Sequence, residues 1–256
     1  MTNCDALLRA MADAPEDDIV RLAYADWLEE NGDPDRADFV RIQMELSRIG
    51  PNDPDRREWV VRHARHLKQN VPRWKAELPQ LPGIEWGDFH RGLVEEVQAQ
   101  NEDAIIAHAV KIFAEPAVHV IRLRRLVDGR ALAGHPHLSR VRALRMVSAW
   151  ATADALQDLF ASWHWGRVLA LDLHGNQTDD EVAANLADGR FPDLTELWLG
   201  WSLVGNSGGR ALAASPHLSH LRFLDLRSTR VTDPTVRAAL TRRFGSGVKF
   251  SPGGLR

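Results

Sequence analysis

The sequence predicts an α/β solenoid: a curved parallel sheet with a helix on the convex side of each repeat, headed by an α-helical N-terminal cap. Three observations carry this expectation. In Val168-Leu-Ala-Leu171-Asp-Leu173-His-Gly-Asn176, Leu171 and Leu173 alternate inward while Ala170, Asp172 and His174 point outward, as a strand buried on one face requires. Related segments recur as Val118-His-Val-Ile121-Arg-Leu123, Val141-Arg-Ala-Leu144-Arg-Met146, Leu194-Thr-Glu-Leu197-Trp-Leu199 and Leu221-Arg-Phe-Leu224-Asp-Leu226, in steps of 23, 27, 26 and 27 residues. A longer echo, Ala131 to Leu144 against Ala211 to Leu224, recurs 80 residues apart, three repeat lengths.

The first segment reads L-x-x-L-x-L-x-x-N, the strand-and-turn core of a leucine-rich repeat. Asn176 stands where a side-chain amide bonds the backbone of the turn. Val94-Glu-Glu-Val97-Gln-Ala99 is a poorer copy 24 residues before Val118, and a further step of 27 from Leu221 lands on Val248, a last short strand.

Composition sets the bounds. With 256 residues, 26% charged and 44% hydrophobic, the chain has the make-up of a globular protein with a large core. A net charge of -3 and a pI near 6.4 argue against a general nucleic-acid binder. The charge is uneven: residues 1 to 55 hold five Arg and fourteen Asp or Glu, a net of -9, which leaves +6 on the remainder. Cys4 is the lone cysteine, which suits a reducing compartment. Asp5 and Arg9 stand where a secretory signal would need an apolar run, and no stretch approaches a membrane span. The expectation is a cytoplasmic protein without membrane contact.

Taken in order, Leu7, Leu8 and Met11 predict a first helix ending at Ala14-Pro15. Glu16-Asp17-Asp18 opens a second, where acidic side chains meet the positive helix end. Its apolar stripe is expected at Ile19, Leu22, Ala23, Trp27 and Leu28. Asn31-Gly32-Asp33-Pro34 stops it, and a third helix over about 34–48 buries Phe39, Ile42 and Met44 or Leu46 before Gly50-Pro51.

The run Leu22-Ala-Tyr24-Ala-Asp26-Trp27-Leu28-Glu29-Glu30-Asn-Gly32-Asp33-Pro34-Asp-Arg36-Ala37-Asp38-Phe39-Val40-Arg41 strongly resembles the bacterial repeat-companion domain, a short module found beside repeat arrays. The resemblance covers roughly residues 5 to 48. The downstream array resembles the ribonuclease-inhibitor type of leucine-rich repeat, and Gly92-Leu-Val-Glu-Glu-Val97 looks like its opening strand. These resemblances imply an architecture and a binding role in a bacterial protein, without a partner.

Between the two regions, Trp59, Val60, Ala64 and Leu67 suggest a helix with Arg57, Arg62, Arg65 and Lys68 on its other side. Trp74, Leu78, Pro79, Leu81 and Pro82 suggest an irregular apolar cover. An open solenoid leaves its terminal apolar layer exposed unless something caps it. The expected division is a helical repeat-companion domain over 1–50, a connecting and capping segment over 51–90, and repeats over 91–256.

Helices are expected after the strands at Asp103 to Ala114, Asp128 to Ala133, Thr152 to Ser162, Asp179 to Ala187, Asn206 to Ala214 and Asp233 to Arg243. Leu132, Leu156, Leu159, Leu186, Leu212 and Leu240 should close the core from that side. The Asn position is Leu126, Ala149, Ser202 and Thr229 elsewhere, so two repeats lack a polar side chain for the turn.

Little in the chain reads as catalytic. His63 and His66 lie at i, i+3 without a further ligand at fixed spacing and are read as a surface-helix pair. His135-Pro-His137 and His217-Leu-Ser-His220 recur because the repeat recurs, and Asp179-Asp180-Glu181 suits a helix cap better than a cation. No nucleophile elbow, P-loop, zincin motif or zinc-type cysteine set occurs. No cofactor, metal site or catalytic residue is expected.

The outward strand positions are more informative. Side by side they run Glu96 and Gln98, Arg122 and Arg124, Arg145, Asp172 and His174, Glu196 and Trp198, then Phe223, Asp225 and Arg227, with Trp201 just beyond its strand. Aromatics beside Arg and Asp are the composition of interface hot spots. The expected function is therefore a non-enzymatic scaffold or adaptor that binds a protein partner on the concave face. The partner-binding residues expected are Arg122, Arg124, Arg145, Asp172, His174, Trp198, Trp201, Asp225 and Arg227. Two rival readings are nucleic-acid binding through the Arg-rich first strands and an enzyme using Asp172, His174 and Asp225.

Overall fold

The computed structural model describes residues 3–161, 164–188 and 191–251. The chain forms two compact units, one comprising Met1–Val97 with Val110–Val118, the other Gln98–Ala109 with His119–Arg256.

The first unit opens with helices α1 (Asn3–Asp13), α2 (Asp18–Glu30), α3 (Pro34–Arg48), α4 (Arg56–Gln69) and α5 (Val71–Glu77), followed by short strands β1 (Ile84–Trp86), β2 (Phe89–His90) and β3 (Leu93–Val94). The starts of α2 and α3 follow from their caps: Asp17 accepts from the Ile19 N–H and Asp33 from the Arg36 N–H, with Pro34 as the first residue of α3. Gly32, at φ +88, supplies the left-handed turn between the two helices. Phe39, Ile42 and Met44 are buried as expected.

Three expectations for this unit are corrected. The inward face of α2 carries Arg21, Tyr24, Ala25 and Leu28, while Ile19 is 78% exposed. Arg21 turns inward because its charge is met there: Nη2 lies 2.5 Å from Glu95 and 2.8 Å from the Pro15 carbonyl, and Nη1 donates to the Arg91 carbonyl at 3.1 Å. The apolar stretch read as irregular begins as α5, whose Trp74 is buried with Leu78 and Leu81. His66 is not a surface residue of α4. It is buried, accepts or donates at 3.0 Å with Asp38 and 2.9 Å with Asn70, and joins Phe39, Trp74 and Phe89 in an aromatic cluster with His63 stacked on Phe39.

β2 and β3 form an antiparallel hairpin against α3. At Gly92, φ +89, an added Cβ would stand 2.5 Å from Val40, so glycine is what lets the two come together. Gln43 clasps the hairpin, donating to the Phe89 carbonyl at 2.9 Å and accepting from the Gly92 N–H at 2.8 Å.

Strand β4 (Glu96–Ala99) and helix α6 (Glu102–Ile112) lead into a regular alternation: β5 (Val120–Leu123), α7 (Gly129–Ala133), β6 (Ala143–Arg145), α8 (Ala153–Phe160), β7 (Ala170–Asp172), α9 (Asp180–Ala187), β8 (Glu196–Trp198), α10 (Asn206–Ala214), β9 (Phe223–Asp225), α11 (Pro234–Phe244) and β10 (Val248–Lys249). β5 to β10 pair parallel in chain order, with Ile121, Leu144, Leu171, Leu197 and Leu224 aligned across the sheet. The register is the one the repeat spacing predicts. The six helix-side leucines Leu132, Leu156, Leu159, Leu186, Leu212 and Leu240 are fully buried, as are the inward strand leucines. Helix α8 ends at Phe160; the Ser162 end expected for it lies outside the described residues.

The strands are shorter than expected, and the reason lies in the turn. Ser148, Gly175, Trp201 and Ser228, each four residues past its aligned leucine, all adopt φ between +50 and +71. A left-handed residue ends the extended run. One position on, Ser202 and Thr229 donate to the carbonyls of Leu199 and Leu226, and Asn176 donates to that of Leu173. Leu126 and Ala149 fill the same position as buried apolar side chains.

Successive repeats are also hooked together by helix-start side chains. The Glu102 carboxylate accepts from the N–H groups of Val127 and Asp128, Asp180 from those of Gly205 and Gly208, and Asn206 from those of Thr232 and Asp233. These acceptors satisfy loop amides of the next repeat that have no strand partner. Asp179 caps its own helix through the N–H groups of Glu181 and Val182, so both aspartates of that cluster are committed to backbone.

Candidate protein-binding surface

Parallel pairing in register puts one residue from each strand in a single row. Reading across, the row is Arg122, Arg145, Asp172, Trp198, Asp225 and Lys249. Its neighbours toward the strand starts are Val120, Ala143, Ala170, Glu196 and Phe223. The inward leucines force these alternate side chains onto the open face. The sheet thus brings together Arg122, Arg145, Asp172 and Trp198, as the spacing implied. Trp198 packs on Phe223 with ring centroids 5.1 Å apart, and both rings remain partly exposed.

Asp225 departs from the expectation. It is fully buried, and Arg227 closes over it: Nε lies 3.0 Å from each carboxylate oxygen, Nη2 is 2.5 Å from Oδ2, and the Arg227 N–H donates at 2.9 Å. Burial alone would raise the Asp225 carboxyl, but the Arg227 hydrogen bonds and charge hold it below the ordinary carboxylate range. Asp172 goes the other way. Its partial burial raises the carboxyl, against the lowering effects of the His174 N–H and the charges of His174, Arg145 and Arg122.

The Asp172–His174 link runs through the backbone: the His174 N–H donates to Asp172 Oδ1 at 3.0 Å. The imidazole lies across Gly200, where an added Cβ would stand 2.9 Å from the ring. Since Asp225 is sealed by Arg227 and His174 reaches Asp172 with its amide, the three side chains do not line up as a proton-transfer chain. Among the described residues, no group of three or more His, Cys, Asp or Glu is placed to hold a metal ion.

Arg122, Arg124 and Arg227 are exposed, and Trp201 is 66% exposed at the strand ends. The sequence reading missed the rest of that edge. Trp150 is 80% exposed, and Val127, Val147 and Leu203 are exposed beside the same turns. Trp150, Val127 and Leu203 share one repeat position, six residues past the aligned Leu144, Ile121 and Leu197. That common offset was the available signal, and it goes unnoticed while only strand positions are compared.

The aligned leucines, the left-handed turns and the returning helices define a leucine-rich-repeat-like α/β fold. An internalin from Listeria monocytogenes str. 4b F2365, known from a crystal structure, is similar at 17% identity over 57% of this chain, with a TM-score of 0.33. The alignment spans 44% of the internalin, so the chain covers less than half of that protein's length. No family model matches the sequence, and a comparison with curated proteins finds no match. Among the described residues, no helix is long and apolar enough to cross a membrane.

Proposed function

We propose that the protein is a non-enzymatic interaction scaffold: a leucine-rich-repeat solenoid, preceded by a repeat-companion module, that binds a partner protein on the concave sheet face. The observation that carries this reading is the in-register row with the Trp198–Phe223 pair between Asp172 and Asp225. A partly exposed aromatic pair beside arginines and carboxylates has the composition of a binding hot spot. Around it, Arg122, Arg124, Arg145, His174, Trp201 and Arg227 supply charged and aromatic contacts, while Asp225 serves by holding Arg227 in place. A reducing, cytoplasmic setting accords with the single cysteine.

The test is a capture from native lysate followed by affinity and melting measurements on two variants. Trp198→Ala should weaken binding by at least about 2 kcal/mol with little change in melting. Leu197→Ala, which empties a fully buried site, should cost roughly 2–5 kcal/mol of stability. Normal binding by Trp198→Ala would overturn the concave-face assignment, as would unfolding of that variant comparable to Leu197→Ala.

A further inference from the structure

The edge at the strand ends carries two exposed tryptophans: Trp201 occupies the left-handed turn position that Ser148, Gly175 and Ser228 share, whereas Trp150 is left-handed two residues beyond it. Trp150 and Trp201 are both highly exposed, at 80% and 66%, and both adopt left-handed backbone, at φ 56 and φ 55. Bulky L-residues avoid that region because Cβ crowds the carbonyl. A glycine would take the conformation without strain, as Gly175 does at the position that Trp201 fills, two residues short of Trp150's. Each tryptophan thus sets a strained backbone and a large apolar surface against almost no burial. Such outliers cluster where a ligand is held.

The edge is coherent as well as exposed. The Ser148 N–H donates to the His174 carbonyl, the Gly175 N–H to that of Gly200 and the Trp201 N–H to that of Arg227, so the turns follow one another at strand spacing. The two tryptophans lie two repeats apart, Trp150 six residues past Leu144 and Trp201 four past Leu197, with Gly175 at the turn of the repeat between. Val147 and Leu203 extend the apolar edge beside each tryptophan. Exposed arginines flank it. Exposed Arg124 and Arg125 lie on the Trp150 side, and exposed Arg230 lies on the Trp201 side. Of the carboxylates near the edge, Asp225 is paired with Arg227, and exposed Asp128 and half-buried Asp179 accept hydrogen bonds at their helix starts.

We infer that this edge is a second contact surface, which receives an acidic segment of a partner protein and seats its apolar side chains between Trp150 and Trp201. The inference rests on the reading of the protein as an interaction module and goes beyond it in naming the ligand chemistry and an edge that shares Trp201 and Arg124 with the concave-face site but is centred on Trp150 and leaves out Trp198. Exposed aromatics supply apolar contact, and arginines on both sides favour carboxylates on the ligand.

The experiment uses the full chain and four probes in fluorescence anisotropy. They are a labelled octapeptide of Asp and Glu around a central Leu-Phe pair, the same peptide with Lys for the acids, the same with Ser for Leu-Phe, and a single-stranded oligothymidine of matching charge. The acidic apolar peptide should bind saturably, and the other three at least about 30-fold more weakly, the scale of one hot spot. Trp150→Gly and Trp201→Gly should each lower affinity by a comparable factor while melting at the same or a higher temperature, because glycine relieves the strained turn. Trp198→Ala should leave peptide binding unchanged. Failure of the acidic peptide to saturate, equal binding of the oligonucleotide, or full affinity in both glycine variants overturns the inference. Loss of affinity in Trp198→Ala alone would overturn it while leaving the concave-face reading standing.

Discussion

The side-chain amide of Asn176 donates at 2.5 Å to the carbonyl of Met146, thirty residues earlier in the preceding repeat. The same nitrogen donates to the Leu173 carbonyl at 2.9 Å, and Oδ1 accepts from the Ala151 N–H at 3.2 Å. One buried side chain therefore satisfies its own turn and stitches two repeats together. Asn176→Ala should destabilise the protein by about 2–3 kcal/mol, because it strands buried backbone groups. Ser202→Ala and Thr229→Ala, which lose one local bond each, should cost about 1 kcal/mol. Urea denaturation of the three variants checks the order, and equal losses would contradict it.

Helix packing makes a sharp contrast between two glycines. A Cβ at Gly129 would lie 1.8 Å from the Ala155 carbonyl oxygen, a backbone atom of the next helix, whereas one at Gly134 meets nothing within 4 Å. Gly129→Ala should cost at least the 1–3 kcal/mol of ordinary overpacking. Gly134→Ala should be neutral or stabilising by up to about 1 kcal/mol, through the unfolded chain's lost freedom. Thermal melts of both variants decide it.

The two aspartates of the strand row should respond oppositely to pH. Asp225 has a depressed carboxyl, so its contribution is present above the ordinary carboxylate pKa and is lost as pH falls through its folded value. Asp172 has a raised carboxyl, so the folded state takes up its proton first, and stability gained from this site grows as pH falls toward the ordinary carboxylate value. Asp225→Asn should therefore destabilise most at neutral pH and least in acid. Asp172→Asn should stabilise at neutral pH, with the gain fading in acid. Denaturation curves between pH 3 and 7 test both signs.

In the first unit, Arg21 and Glu95 form a buried pair at 2.5 Å. Arg21→Ala leaves a buried carboxylate and two carbonyls without that donor, and should cost about 3–5 kcal/mol. Replacing both partners by apolar residues, Arg21→Met with Glu95→Leu, should recover most of the loss. If the double variant is no better than Arg21→Ala, the charge pairing is not what the interior requires.

Much of this protein was legible in its residues. Period-two alternation at nearly constant spacing specified the parallel register, because slipping a strand by one residue would turn Leu144, Leu171 or Leu197 to solvent. The helix cap in Asp179-Asp180-Glu181 was legible too, since Asp179 acts within one turn of chain. What tertiary structure alone decided depended on partners far away in sequence. Ile19 and Arg21 exchanged their expected places because Glu95 lies 74 residues on. His66 went inside because Asp38, Phe39 and Trp74 surround it. Asp225 was read as outward from its strand position, yet Arg227 sealed it, and the exposure of Trp150 emerged only once the turns were stacked. Local pattern determines which face a residue starts on; whether that face stays open is settled by side chains that only folding brings near.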